Sequence, residues 1–245
     1  MQYALQNALS FGIGITFTIS TLILAFICLF LSRKRSGFDK YLILLFGFGL
    51  LFFFGAHAGW TYRSATIPGQ VTLFAIFPFW QWFWIFSMLG ITFIGLWSVF
   101  LSYPEWFETK KWTLILIFIP WLIVTVDLLF IANPATAELA CSGLITDIRP
   151  DIFIILIIGL SLALFVILAL GYYYKQLRKQ ERRLIPFLMI FGLLLVLVGG
   201  IAETRVINIC PVITLGRVMM LLGLWLISYG VIFSPISNTS TKSEI

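Results

Sequence analysis

Three ionisable side chains inside apolar runs are the residues with which this sequence could do chemistry. Asp127, Arg217 and His57 each lie within a long hydrophobic stretch. A charge in the hydrocarbon core of a membrane is costly, so it usually marks a binding site or pairs with an opposite charge. If these runs are membrane-spanning helices, a rise of 1.5 Å per residue places all three in the outer third of a roughly 30 Å core. We therefore predict either a buried Asp127–Arg217 ion pair or an outward-facing polar pocket that also contains His57.

A second, shallower group of polar and aromatic residues is predicted around the mouth of that pocket. Trp80 belongs to the aromatic run 79–84, which is typical of a belt at the membrane boundary, although a cage for a cationic ligand is an alternative. His57 could titrate near neutral pH as a proton sensor, or could simply be hydrogen-bonded. The remaining members of the shallow group are Glu203, Arg205, Arg63, Asp147, Arg149 and Asp151.

The composition indicates an integral membrane protein. Of 245 residues, 61% are hydrophobic and only 11% are charged, and the mean hydropathy is +1.06. Uncharged apolar runs of about 20 residues recur, which is the length that spans a bilayer. The alternation over about 10 residues that is typical of outer-membrane β-strands does not occur. The net charge of +6 comes from short loops, so membrane topology explains it better than nucleic-acid binding does.

The apolar runs predict an all-α bundle of seven transmembrane helices. We place them near residues 10–32, 41–59, 78–102, 112–132, 151–174, 184–202 and 212–233, as one domain over 1–234 with a polar tail at 235–245. The first run is a span rather than a cleavable signal peptide, because no basic residue precedes it. Positive loops stay in the cytoplasm, so the N-terminus is expected outside and the C-terminus inside the plasma membrane. This arrangement leaves only four of the 16 basic residues outside, namely Arg63, Arg149, Arg205 and Arg217.

The most basic segment, 175–183, lies between the fifth and sixth predicted spans. A cluster of this kind is held on the cytoplasmic side, where it is also attracted to anionic lipid. It is either a topology signal alone or a docking surface for a cytoplasmic partner. Its positive residues are Lys175, Arg178, Lys179, Arg182 and Arg183.

Several activities and cofactors are disfavoured by what the spans contain. No lysine lies within a predicted span, so a retinal Schiff base has no attachment site, and the single histidine, His57, cannot supply two haem ligands. No zinc cluster, phosphate loop or nucleophile elbow is present. We therefore expect a protein that is not an enzyme and has no cofactor or metal.

The cysteines allow one disulfide. Cys141 and Cys210 fall in two outer loops, where an oxidising exterior would permit them to be joined or leave them free. Cys28 lies inside the first span and is expected to act as a small apolar filler.

The last two spans carry a family resemblance. Gly216, Gly223 and Gly230 recur at intervals of seven and predict a close helix-packing seam. With Pro211 and the run 226–230, they resemble the seven-helix N-terminal sensor region of prokaryotic histidine kinases. That resemblance implies a non-enzymatic sensor for an unknown small ligand. Because this chain continues for only 12 residues beyond Phe233, the sensor is expected to signal to a separate cytoplasmic protein.

Two other functional classes remain open. A small-molecule or ion transporter or channel is one, although no inverted repeat is visible. An accessory structural subunit of a membrane complex, with a lipid-facing aromatic surface and no ligand, is the other.

The topology can be tested by accessibility labelling. In a background without the three native cysteines, we expect Lys179→Cys to react with a membrane-impermeant maleimide only in inside-out vesicles. Ala135→Cys, in a predicted outer loop, should react only from the outside. Labelling of position 179 from the exterior would invert the topology and remove the outer pocket.

Overall fold

The computed structural model describes a predominantly helical chain. It describes residues 2–66, 73–103, 105–109, 115–131, 137–140, 145–148, 156–161, 163–165, 167–168, 171, 184–203 and 210–233. The long helices are α1 (Gln2–Ser32), α2 (Gly37–Thr66), α3 (Leu73–Ser102), α6 (Leu184–Glu203) and α7 (Cys210–Phe233). Between α3 and α6 lie two shorter apolar helices, α4 (Ile119–Val126) and α5 (Leu156–Phe165). A single helical turn, Trp106–Thr109, follows α3.

Four of these helices are long and apolar enough to cross a membrane. Within the described residues, the qualifying segments are Phe11–Ser32, Gly37–Gly59, Trp82–Ser102 and Thr214–Phe233. In α1 the large apolar side chains at positions 19, 23, 26, 27 and 30 are all exposed. Their spacing of three and four residues puts them on one helix face, and such a face suits lipid contact. The structure therefore supports a membrane protein built from helices, and the count of seven spans stays a prediction.

Two helix ends differ from those expected from the sequence. We predicted an outer loop from Trp60 to Phe77, but α2 continues to Thr66 and α3 begins at Leu73 rather than near Pro78. The segment 60–66 contains neither proline nor glycine, so nothing stops the helix before the Pro68–Gly69 pair. The apolar residues directly before Pro78, which the predicted span 78–102 leaves out, form the first turn of α3.

The fourth apolar segment is irregular around Pro120 and Asp127. A 3₁₀ turn at Leu116–Phe118 precedes α4, and Pro120 lies in the first turn of α4. Proline fits there because the first N–H groups of a helix have no intrahelical acceptor. After Val126 the chain changes to a π-helical turn, Asp127–Ile131.

The predicted outer loop 133–150 contains a short antiparallel hairpin. Its strands are β1 (Ala137–Ala140) and β2 (Ile145–Ile148), with Ala137 paired to Ile148 and Ala140 to Ile145. These strands are the exception to the all-α prediction among the described residues.

The long helices pack largely in chain order. Helices α1, α2 and α3 form successive neighbours, and α7 packs against both α6 and α1. At the C-terminal end of α3, Ser102 Oγ donates to the carbonyl oxygen of Leu168 at 2.8 Å. Phe165 lies three residues before Leu168, and its ring packs against Gly95. Gly95 lies seven residues before Ser102. Because the two contacts advance in the same direction along both segments, α3 and the α5 segment run parallel.

The glycine seam predicted in the last span is a backbone contact between α6 and α7. A Cβ built on Gly223 would lie 2.5 Å from the carbonyl oxygen of Gly192, and one built on Gly199 would collide with that of Gly216. A Cβ built on Gly230 would likewise collide with the side chain of Met189. Only glycine permits this approach, so the two helices are held together as one unit.

A methyl group in the seam should destabilise the protein. We expect Gly223→Ala to cost about 1–3 kcal/mol, because the backbones must separate to admit it. Gly12→Ala is the matched control, since nothing lies within 4 Å of a Cβ at Gly12. Thermal unfolding in detergent should show a lower Tm for Gly223→Ala alone. Equal Tm values for the two variants would mean that the contact is not tight.

Candidate functional site

His57 lies at the junction of three helices. Its side chain is 5% exposed. The imidazole centroid is 3.9 Å from the ring centroid of Phe17 on α1, and the imidazole stands perpendicular to Phe83 on α3 at 5.4 Å. Thr61 lies one turn beyond His57 on α2, and its hydroxyl group is 3.3 Å from that of Thr18 on α1. His57 therefore lies at the level where α1, α2 and α3 meet, in the half of the bundle that the predicted topology places outside.

The contact between α3 and α4 places Asp127 at the same level. The rings of Phe93 on α3 and Phe118, next to α4, meet at 5.9 Å, and as consecutive predicted spans the two helices are expected to run antiparallel. Asp127 lies nine residues beyond Phe118, and Trp84 lies nine residues before Phe93. Both are thus about 13 Å further out than that contact. We call the level defined by Phe17, His57, Trp84 and Asp127 the outer layer.

The backbone at Asp127 is irregular. Asp127 begins the π-helical turn, and its N–H donates to the carbonyl oxygens of both Ile123 and Val124. The side chain is half-buried, and its Oδ2 atom is shielded from solvent. Single π turns inside helices occur frequently at functional sites, which adds a structural reason to the charge argument for this residue.

Arg217 is also buried, on helix α7. Its side chain is 6% exposed, and it is seven residues into α7. Helix α7 packs chiefly on α6 and α1, whereas α4 packs on α3. The ion pair between Asp127 and Arg217 therefore stays a prediction.

The other predicted site residues fall mainly outside the described side chains. Arg63 lies in α2, Trp80 in α3, Glu203 at the end of α6 and Asp147 in β2, but their side chains are not among those described. Cys210 begins α7 and its side chain is also outside this set. Outside the described residues altogether lie Cys141, Arg149, Asp151, Lys175, Arg178, Lys179, Arg182 and Arg183.

Four polar side chains near the outer layer were not singled out as site residues from the sequence. Each has a solvent-shielded polar atom without a hydrogen-bond partner among the described residues: Trp84 Nε1, Ser87 Oγ, Trp121 Nε1 and Thr125 Oγ1. Trp84 and Ser87 share one face of α3, three residues apart, and Trp121 and Thr125 share one face of α4, four residues apart. By the Phe93–Phe118 register, all four lie within about 10 Å of one another along the bundle axis.

The two hydroxyl groups differ from the other buried hydroxyls of the protein. A buried serine or threonine in a helix usually donates to the carbonyl four residues earlier. Five described residues do so: Thr21, Thr92, Ser98, Ser161 and Ser228. Ser87 is only 7% exposed, yet neither it nor Thr125 makes this bond. Their hydroxyl groups are thus available to another molecule.

The outer layer can bind an acceptor of hydrogen bonds. An indole N–H can only donate, and a buried donor left without an acceptor costs about 1–3 kcal/mol. In a bilayer no bulk water compensates this loss. The arrangement therefore favours a bound group that carries acceptor oxygens or nitrogens.

Sequence reasoning could have found part of this donor set. Ser87 and Thr125 are hydroxyl residues within otherwise apolar helices, and that signal was visible. Trp84 was assigned to the aromatic belt, and nothing in the sequence shows that its N–H points into protein. A sequence pattern does not indicate which hydroxyl groups bond to their own helix.

Neither a metal cluster nor a known relative adds a residue to the site. Among the described residues, no group of three His, Cys, Asp or Glu side chains could hold a metal ion. No protein-family model matches this chain, and no curated protein is similar to it. The functional argument therefore rests on the geometry of the outer layer.

Loss of a hydroxyl should affect stability differently at two serines of α3. Ser98 Oγ donates to the carbonyl oxygen of Ile94 at 3.0 Å, so Ser98→Ala should cost about 0.5–1.5 kcal/mol. Ser87→Ala removes the same atom without breaking an internal bond and should leave the Tm nearly unchanged. Thr92→Val and Thr125→Val form a second matched pair. Equal losses within both pairs would show that Ser87 and Thr125 have internal partners.

Proposed function

We propose that this protein is a non-enzymatic, receptor-like sensor of the cell membrane. It binds a small molecule in the outer layer and passes the signal to a separate cytoplasmic protein. The observation that carries the proposal is the set of four buried donors near His57 and Asp127 that have no partner among the described residues. Such groups are costly unless a ligand or ordered water completes them.

The surroundings of the layer favour binding over catalysis. His57 is enclosed by the rings of Phe17 and Phe83, an environment that favours fixed packing over exchange of protons with a substrate. Hydroxyl groups act as nucleophiles when an adjacent base activates them. The described hydrogen bonds of the protein's serines and threonines go to backbone carbonyls or, for Thr18 and Thr61, to each other.

The packing offers a route for the signal. The outer layer joins α1, α2, α3 and α4, and α1 also packs on α7. Because α6 and α7 are locked along their glycines, a shift of α1 would move them as one body. Helix α6 begins directly after the basic segment 175–183. We propose that this segment is the docking surface for the partner. A bound ligand would then bias two packings of this pair.

The proposal can be tested on protein purified in mild detergent. We expect native mass spectrometry to detect about one retained small molecule per chain. Asp127→Asn and Arg217→Gln should lower the retained fraction, because both change the polarity of the outer half. The lipid-facing Tyr229→Phe, whose side chain is 48% exposed, should not.

Two results would count against the proposal. A protein that retains no small molecule and responds to none by a change in Tm is not a receptor of this kind. Saturable uptake of the retained molecule by reconstituted vesicles would instead identify a transporter.

A further inference from the structure

The turn between α1 and α2 carries positive side chains directly beyond the lipid-facing side of α1. We propose that this surface binds an anionic phospholipid, with its acyl chains along α1 and its phosphate at Arg33 and Lys34. The predicted topology places the turn on the cytoplasmic side, where anionic lipids are concentrated. Because Arg33 is about 24 Å along the chain from Phe17 and the outer layer, the proposal does not depend on the receptor function.

The apolar part of this surface is a stripe on α1. Ile19, Ile23, Phe26 and Phe30 are each more than half exposed, and their spacing of three and four residues puts them on one helix face. From Ile23 to Lys34 the chain rises about 16 Å, which is about half of a roughly 30 Å hydrocarbon core. The stripe is therefore long enough to contact the acyl chains of one leaflet from the bilayer midplane to the headgroup.

A cation lies at the end of the stripe. The Lys34 ammonium lies over the ring of Phe30, 4.9 Å from the ring centroid. This cation–π contact keeps the charge against the lipid-facing side of α1 instead of letting it extend into water. The ring contacts one side of the ammonium, so its other N–H groups can donate to phosphate oxygens.

The turn holds a second cation beside the first. The backbone N–H of Arg33 donates to the carbonyl oxygen of Phe30 at 3.2 Å, and that of Lys34 makes the equivalent bond one residue further on at 2.9 Å. Both side chains are exposed. Arg35 differs, because it is half-buried and interacts electrostatically with the buried carboxyl group of Asp39. The charges of Arg33 and Lys34 are thus the ones best placed for a bound anion.

Charge complementarity selects an anionic headgroup. Each Lys or Arg near a membrane surface contributes about 1 kcal/mol to the attraction of anionic lipid. Phosphatidylcholine has the same phosphate, but its own choline cation would compete with Arg33 and Lys34 for that group. A soluble phosphate has the charge without the acyl chains that contact the stripe.

Dioleoyl phosphatidylglycerol and dioleoyl phosphatidylcholine form a matched pair of probes with identical acyl chains. Each is added to delipidated protein in mild detergent, and binding is measured by native mass spectrometry. We expect phosphatidylglycerol to bind about tenfold or more tightly than phosphatidylcholine, since two charges contribute. Glycerol phosphate, which lacks acyl chains, should not displace it.

Variants of the turn locate the lipid. Arg33→Gln and Lys34→Gln should each weaken phosphatidylglycerol binding about fivefold, which is the contribution of one charge, and leave phosphatidylcholine binding nearly unchanged. Lys34→Arg keeps the charge and should retain most of the binding. Lys40→Gln is the matched control, because it removes another exposed charge from α2, away from the end of the stripe. Its effect should be clearly smaller.

The outcomes separate a site on α1 from a general attraction of charges. Equal binding of the two lipids, or equal losses for Arg33→Gln, Lys34→Gln and Lys40→Gln, would overturn the proposal. So would displacement by glycerol phosphate, which would identify a soluble anion as the ligand, or a dimer without lipid, in which a second copy covers the stripe. Asp127→Asn should not change phosphatidylglycerol binding, so this proposal and the receptor proposal can fail separately.

Discussion

The structure depends on one constraint, which is that a bilayer core offers no water to polar groups. Backbone groups meet this constraint by forming helices, and most buried hydroxyl groups meet it by donating to their own helix, as Thr92 and Ser98 do. Where a polar atom is buried and neither solution applies, another molecule is the remaining partner. Among the described residues, Trp84, Ser87, Trp121 and Thr125 depart from this pattern, and so does Trp97 Nε1 in the core.

Two kinds of helix packing divide the bundle. Helices α6 and α7 touch backbone to backbone at Gly192 and Gly223, and α2 approaches α3 at Gly90, whose Cβ would lie 3.0 Å from the carbonyl oxygen of Gly49. Such contacts leave little freedom for relative movement. Helix α4 instead combines a 3₁₀ turn, a proline and a π turn. The irregular helix therefore carries the candidate site, and the rigid pairs surround it.

Much of the architecture could be predicted from the sequence, because hydrophobic run length is a direct consequence of bilayer thickness. The glycine seam at Gly216, Gly223 and Gly230 was also predictable, since its spacing matches one helix face. The ends of α2 and α3 were not, because helices extend past the apolar core until a breaker such as Pro68 stops them. The hairpin β1–β2 was missed for a related reason, as short strands in a polar loop have weak patterns.

For the candidate site, the sequence alone determined that Asp127, Arg217 and His57 are buried or partly buried ionisable groups in apolar segments, since charge stands out against a hydrophobic background. Only the tertiary structure decided that His57 is enclosed by Phe17 and Phe83. It alone also distinguished Ser87 from Ser98, two serines of one helix. The physical reason is that hydrogen bonding depends on side-chain direction and on the neighbouring helix, and neither is encoded in the hydrophobic pattern of a single segment.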